Sequence, residues 1–108
     1  KLKKRREKIE YALPGLANAA EKTLKHSRDV LYIIESYSAN TEKELADELK
    51  ITAADMRSGG YETAVTRLEG RVGSPMMSDI CRGLLGIIRG DDMRMYFSSL
   101  FVPVAAPA

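Results

Sequence analysis

The hydrophobic residues of this chain recur with the period of an α-helix rather than with the alternation of a β-strand. The clearest case is segment 61–72, in which apolar residues are three or four positions apart and therefore share one helix face. These residues are Tyr61, Ala64, Val65, Leu68 and Val72. Glycine and proline mark both ends of the segment, with Gly59-Gly60 before it and Gly73-Ser74-Pro75 after it. We expect Gly59 and Gly60 to adopt the positive φ that closes a helix, and Ser74 to cap a helix that begins at Pro75.

The same spacing predicts helices near the N-terminus. Residues 2–12 can form a weak and highly charged helix, which is predicted to end at Pro14, because the residue before a proline avoids the α region. A clearer helix is predicted from Pro14 to about Lys25. Its apolar stripe consists of Leu13, Leu16, Ala17, Ala20 and Leu24.

Two further helices are predicted between residues 27 and 59. Ser27 is the expected N-cap of the first, which runs to about Ser38. Thr41 and Glu44 have the spacing of a capping box, and the helix that follows them is predicted to end at Gly59. The positions predicted to be buried are Val30, Ile33 or Ile34, and Tyr37 in the first helix, and Leu45, Leu49, Thr52 and Met56 in the second.

The last two predicted helices follow Pro75. The first of them contains Gly83 and Gly86, each of which costs about 1 kcal/mol relative to alanine in a helix interior. A close approach of another helix would explain both glycines. Gly90, Asp91 and Asp92 are predicted to end this helix and to cap the last one. The predicted inward positions are Met77, Ile80, Cys81, Leu84 and Ile88, and then Met93, Tyr96, Phe97, Leu100 and Phe101.

These elements predict an all-α fold, an antiparallel bundle of about six short helices with a basic N-terminal lead-in. Strands are not predicted, because no alternating run is longer than a few residues. The short connections require neighbouring helices to be roughly antiparallel. We expect three parts: residues 1–12 as a juxtamembrane arm or lead-in helix, residues 13–102 as the bundle, and residues 103–108 as a tail that leads to a membrane segment.

Charge is distributed unevenly along the chain. The whole chain has a net charge of +2, and residues 1–9 hold six cations and one anion, so that this segment is +5 and the remainder is −3. The cations are Lys1, Lys3, Lys4, Arg5, Arg6 and Lys8. Such a cluster is typical of the cytoplasmic side of a membrane helix and of contact with anionic lipid. The alternative interpretation is a solvated, frayed arm.

The sequence itself contains no apolar run long enough for a membrane helix or a signal peptide. It begins at Lys1 and ends in the apolar residues 101–108, which leads us to expect a piece of a longer membrane protein. The single Cys81 excludes an internal disulfide and fits a reducing, cytosolic environment.

Few residues have the spacing of catalytic or metal-binding groups. His26 is the only histidine, and no serine or cysteine has the spacing of a nucleophile beside it, so that neither an enzyme nor a cofactor is predicted. Cys81 is expected to be a buried, unreactive thiol. Asp91 and Asp92 are weak candidates for a hard-cation site together with Asp79 or Glu35, and plain helix capping is the alternative.

Residues 41–58 allow a second interpretation, the helix-turn-helix of a DNA-binding domain. Ala46, Ile51 and Met56 fall at the small and aliphatic positions of that pattern. However, Lys50 stands at the turn position usually held by glycine, and the second helix would contain one cation, Arg57. Since phosphate contact needs clustered cations, we expect no nucleic acid partner and a continuous helix through Lys50.

Several segments, each weak alone, have a specific spacing when taken together. They are Leu13-Pro14, Arg57-Ser58-Gly59-Gly60, the Ala-x-x-Arg-Leu-x-x-Arg-Val pattern of residues 64–72, and Gly90 before Asp91-Asp92. In the order and spacing of these segments, residues 13–101 resemble the cytoplasmic domain of the type II secretion system F family. These are the platform proteins of type II secretion, type IV pilus and Tad pilus machines. Residues 79–90 with Tyr96-Phe97 look most like the Tad branch.

The resemblance implies a six-helix bundle on the cytoplasmic side of the inner membrane, with flanking membrane helices. It implies a scaffold without enzyme activity, whose partners are an assembly ATPase and other subunits of the machine. Arg67 and Arg71 are candidate contacts with an acidic partner, the alternative being the solvated flanks of an amphipathic helix. A homodimer is also expected, because bundles with an apolar C-terminal helix such as residues 93–101 often pair.

Overall fold

Six α-helices form the fold in a computed structural model of the protein, which describes residues 2–102. The helices are α1 (Leu2–Leu24), α2 (Val30–Ser38), α3 (Lys43–Ser58), α4 (Tyr61–Val72), α5 (Pro75–Ile88) and α6 (Arg94–Ser99). Residues 2–102 contain no strand. The prediction of an all-α fold with about six helices is therefore confirmed. Lys1 and the predicted tail, residues 103–108, lie outside the described residues.

Helix α1 is the element against which most of the others pack. It contacts α2, α3, α5 and α6, while α2 with α3, α3 with α4, and α4 with α5 pack in chain order. The single core that results draws its fully buried large side chains from the first five helices. They are Ile9, Leu13, Leu16, Ile33, Ile34, Leu45, Leu49, Val65, Leu68, Met77, Ile80 and Leu84.

The predicted helix boundary at Pro14 is wrong, because α1 continues through that residue for 23 residues. Pro14 has no N–H to donate to the carbonyl of Glu10, which normally ends or kinks a helix. Here Ile9 is 1% exposed and Leu13 is fully buried, so that one apolar face runs across the proline and packs along its whole length. Residues 2–12 are consequently the first half of α1 and contribute to the core.

Helix α2 crosses α1 at Gly15. The hydroxyl of Tyr37 donates to the carbonyl of Ala12 at 2.8 Å. A Cβ atom added to Gly15 would lie 3.0 Å from Cζ of Tyr37, closer than side chains normally approach. The glycine thus gives the tyrosine room to reach the backbone of α1.

The turn between α4 and α5 has the predicted conformation. Gly73 has φ 63°, in the left-handed region, and closes α4. Ser74 Oγ accepts a hydrogen bond from the N–H of Met77 at 3.3 Å, and Pro75 is the first residue of α5. In contrast, the positive φ predicted for Gly59 and Gly60 is wrong, because their φ angles are −154° and −81° and the two residues form a short extended link.

Two predicted N-caps also lie at neighbouring residues. Asp29, not Ser27, caps α2, and its Oδ1 accepts from the N–H of Tyr32 at 3.0 Å. Ser27 Oγ instead accepts from the N–H of Asp29 at 3.1 Å and supports that cap. Glu42 occupies the N-cap position of α3 without a side-chain cap bond, in place of the box predicted at Thr41 and Glu44.

Gly83 and Gly86 lie where α6 packs on α5, as the sequence predicted. A Cβ atom at Gly83 would be 2.8 Å from Cε1 of Phe97, and one at Gly86 would be 2.6 Å from Sδ of Met93. Phe97 is buried and its ring meets that of Tyr96 edge to face at 5.6 Å. The apolar stripe of residues 93–101 is therefore used within the chain, and the homodimer predicted from it stays a prediction.

Across residues 2–102, none of the helices combines the length and the apolar character that crossing a bilayer requires.

Candidate functional site

A buried carboxylate lies where α1, α3 and α4 meet. Glu48, on α3, is only 6% exposed. Its Oε1 accepts a hydrogen bond from Nε of Arg71 on α4 at 2.7 Å, and its Oε2 lies 3.0 Å from Nη2 of Arg5 on α1. A charge is tolerated away from water when it is paired and hydrogen-bonded, and Glu48 meets both conditions. This carboxylate fixes two arginine side chains beside one another.

Arg71 makes most of its contacts inside the bundle. Its Nη2 donates to Thr52 Oγ1 at 3.2 Å, and its Nη1 lies 3.9 Å from Oδ2 of Asp55. Thr52 is fully buried and donates to the carbonyl of Glu48 at 2.9 Å. The side chain of Arg71 is 29% exposed, and the acidic groups that it contacts, Glu48 and Asp55, belong to the same chain. Its contact with an acidic partner protein stays a prediction.

Arg67 is the more accessible of the two arginines predicted to bind a partner. Its side chain is 63% exposed, and its Nη1 lies 3.8 Å from Oδ1 of Asp55. An exposed pair at this distance is worth little to stability. Arg67 can therefore turn to an acidic group of another molecule at small cost.

The basic arm is part of helix α1, and several of its cations contact the bundle. Arg5 pairs with Glu48, Lys8 lies 3.7 Å from Glu44, and Nη1 of Arg6 donates to the carbonyl of Gly73 at 3.1 Å. Lys3 and Lys4 are exposed, and neither forms an ion pair with another residue of 2–102. Lys1 lies outside the described residues. The solvated, frayed alternative thus does not fit Arg5, Arg6 and Lys8, while membrane contact stays a prediction.

Asp91 and Asp92 shape the connection between α5 and α6. The carbonyl of Asp91 accepts from Nη2 of Arg28 at 2.8 Å, and Oδ1 of Asp92 accepts from the N–H of Arg94 at 3.3 Å. Within residues 2–102, no three Asp, Glu, His or Cys side chains come together as metal ligands would. The structure therefore does not bring Asp79 or Glu35 to these two aspartates. The cap predicted at Asp91 and Asp92 is also displaced, because Met93 is the N-cap residue of α6 and has no side-chain cap bond, while Asp92, one residue earlier, accepts from the first N–H of the helix.

The other two residues considered for chemistry, His26 and Cys81, differ in their exposure to solvent. His26 borders an open cleft of about 510 Å³ together with Lys22, Asp29 and Tyr32. Cys81 is fully buried on α5, and desolvation by burial raises the pKa of its thiol from 9.0 to about 12. The predicted buried position of Cys81 is confirmed, and a thiol with so high a pKa holds almost no thiolate near neutral pH.

The helix-turn-helix alternative requires a turn near Lys50, and α3 runs through that residue from Lys43 to Ser58 without a break. The N–H of Gly59 closes the helix by donating to the carbonyl of Asp55 at 2.9 Å. Residues 41–58 therefore lack the second helix that would enter a DNA groove.

Sequence reasoning missed Glu48, although its position held the necessary signal. Glu48 is three residues after Leu45 and four before Thr52, so that it falls inside the stripe predicted to be buried. An acid inside an apolar stripe indicates a buried ion pair. The identity of its partners could not be read from spacing, because Arg5 and Arg71 lie far away in the sequence.

Comparison of the chain with protein-family models, with curated proteins and with solved structures gave no match.

Proposed function

We propose that this chain is the cytoplasmic domain of an integral membrane platform protein of a pilus assembly or type II secretion machine, most like those of Tad pili. The observation that carries the proposal is that three of the four resembling segments fall within α4 or at the ends of helices, whereas Leu13-Pro14 lies inside α1. The 64–72 pattern lies entirely within α4, whose C-cap is Gly73, and Gly90, with φ 97°, separates α5 from α6.

The charge at the start of α1 also supports this function. Lys3, Lys4, Arg5, Arg6 and Lys8 lie in the first two turns of the helix. A cationic segment next to a membrane helix selects the cytoplasmic side, and each cation near an anionic surface contributes about 1 kcal/mol of attraction. In the proposed protein the start of α1 faces the membrane and the rest of the bundle extends into the cytoplasm.

In this role the domain is a scaffold that presents helix surfaces to an assembly ATPase and to other subunits of the machine. Arg67 on α4 is the cation we assign to such a contact, because it is exposed and its pair with Asp55 is long. Charge on the rim of an interface mainly accelerates association and aligns the partners.

Chemical cross-linking of the chain to the ATPase of the same machine tests the proposed contact. Arg67→Glu is expected to weaken the complex about fivefold, which corresponds to about 1 kcal/mol. Arg82→Glu is the matched control, since Arg82 is 68% exposed on α5 and also pairs with a nearby acid, Asp79. Failure of the unmodified chain to cross-link, or an equal loss in both variants, would contradict the assignment.

A further inference from the structure

A small cavity beside Glu48 is lined by three arginines. Its volume is about 240 Å³, and it is bordered by Arg5, Arg6 and Ile9 of α1 and by Arg71, Val72 and Gly73 at the end of α4. This is several times the roughly 30 Å³ that one water molecule occupies in the liquid. The cavity therefore has room for a compact anion of several atoms.

The arginines of this cavity hold more positive charge than their contacts neutralise. Arg5 and Arg71 share one carboxylate, that of Glu48, and Arg6 bonds to a neutral carbonyl, that of Gly73. The next acid, Asp55, is 3.9 Å from Arg71 and is shared with Arg67. Each guanidinium has five N–H donors, and the contacts within residues 2–102 use only some of them.

The nearby acid Glu10 bonds to a neutral hydroxyl and keeps its negative charge. Its carboxylate accepts the hydroxyl hydrogen of Ser74, the N-cap of α5. The start of α5 therefore already has its own anion, and the cavity depends on the three arginines rather than on that helix end.

A neighbouring cavity shows the difference that acids make. It has a similar volume, about 250 Å³, and it is lined by Lys4, Arg5, Lys8 and Lys43 but also by Glu44 and Asp47. Lys8 lies 3.7 Å from Glu44, and Lys43 lies 2.6 Å from Asp47. Lys8 and Lys43 are thus each paired with an acid of that cavity, whereas Lys4 forms no ion pair within residues 2–102 and Arg5 is paired with Glu48.

We propose that the cavity of Arg5, Arg6 and Arg71 binds a phosphate group. Guanidinium groups bind tetrahedral oxyanions through paired, parallel N–H donors, and Glu48 holds two of the three in fixed positions before any ligand arrives. The phosphate has two sources, the headgroup of an anionic lipid or a soluble phosphate compound. The inference rests on the geometry of the cavity; only its lipid source rests also on the proposed function, which uses Arg5 and Arg6 for membrane contact.

Two probes distinguish the sources, each measured at about 150 mM salt with the 108-residue chain. The first is inorganic phosphate, followed by the shifts of backbone amide NMR signals. The second is flotation with vesicles of phosphatidylglycerol, compared with vesicles of phosphatidylcholine.

Arg6→Gln is expected to weaken binding about tenfold, because it removes a charge-assisted contact. Lys3→Gln removes the same charge from the same helix outside the cavity, and it is expected to change affinity less than about twofold.

The outcomes separate clearly. Arg6-dependent binding of inorganic phosphate without Arg6-dependent binding to phosphatidylglycerol vesicles supports the site and identifies a soluble ligand. Arg6-dependent binding to phosphatidylglycerol vesicles, with or without inorganic phosphate binding, supports the site and identifies a lipid headgroup. Equal losses in Arg6→Gln and Lys3→Gln would assign binding to the diffuse charge of the arm and overturn the proposal, as would no binding of either probe. Because Arg6 is exposed, the variant is expected to keep the circular dichroism of the unmodified chain. Arg6→Lys, which keeps the charge but not the paired donors, is expected to lose about threefold.

Discussion

Glu48 carries a charge in a position that the helix period assigns to an apolar residue. Two arginines, at 2.7 and 3.0 Å, compensate for its removal from water. Such a pair adds little stability compared with apolar packing, but breaking it leaves a buried charge without a partner. Glu48 therefore requires a cation from α1 or α4 beside it, and this requirement favours the observed packing of the three helices.

Replacing Glu48 with glutamine tests this view at a single carboxylate. Glu48→Gln keeps the shape and loses the charge, and it is expected to lower the free energy of unfolding by about 1–3 kcal/mol. Glu44→Gln is the control on the same helix, since Glu44 meets Lys8 at 3.7 Å and its side chain is 26% exposed, and it should cost less than about 0.5 kcal/mol. Urea unfolding of both variants measures the difference, and equal losses would contradict the assigned role of Glu48.

The buried thiol of Cys81 is expected to make the free energy of unfolding depend on pH. Burial raises its pKa to about 12, whereas the thiol of the unfolded chain has a pKa of about 9.0. Between pH 9 and about 12 the thiol is ionised in the unfolded chain but still protonated in the folded one. The free energy of unfolding therefore falls as the pH rises through this range. One pH unit within this range should cost about 1.4 kcal/mol in the unmodified chain beyond the loss seen in Cys81→Ala. Identical pH profiles of the two proteins would show that the thiol is not buried.

At the scale of the helices, the apolar period predicted their number, their order and most of their bounds. The exception is α1, which was divided at Pro14. The stripe of Ile9, Leu13 and Leu16 continues across the proline, and its burial outweighs the missing backbone hydrogen bond. Local turn chemistry predicted Gly73 correctly. The Gly59-Gly60 link instead ends α3 in an extended conformation, because glycine permits a positive φ without requiring it.

The close contact between α5 and α6 predicts that alanine at Gly83 lowers stability, whereas alanine at an exposed helical glycine raises it. Gly83→Ala is expected to destabilise the protein, because the added Cβ meets the ring of buried Phe97, and this clash outweighs the gain of about 1 kcal/mol in helix propensity. Gly70→Ala in α4 is the matched control, since nothing lies within 4 Å of its added Cβ, and it should stabilise the protein by about 0.5–1 kcal/mol. Thermal unfolding distinguishes the two, and stabilisation by both would mean that α6 does not pack closely at Gly83.

At the scale of the whole molecule, long-range side-chain contacts fix how the helices are arranged. Arg28, between α1 and α2, donates to the carbonyls of Ile87 at 2.6 Å and Asp91 at 2.8 Å, and so joins the start of α2 to the end of α5. Glu48 joins α3 to both α1 and α4. A hydrophobic period identifies the buried face of a helix but not the helix that covers it. For this reason the fold class was predictable, while the arginine cavity was not.

The location of the full-length protein bears most directly on the proposed platform role. Met95, which is 80% exposed, can be replaced by cysteine as a labelling site, and the native Cys81 is buried and should not react. We expect the full-length Met95→Cys protein to stay with the membrane after carbonate extraction. A membrane-impermeant maleimide should label it in inverted membrane vesicles and not in intact spheroplasts. Release by carbonate, or labelling in spheroplasts, would contradict a cytoplasmic domain of a membrane protein.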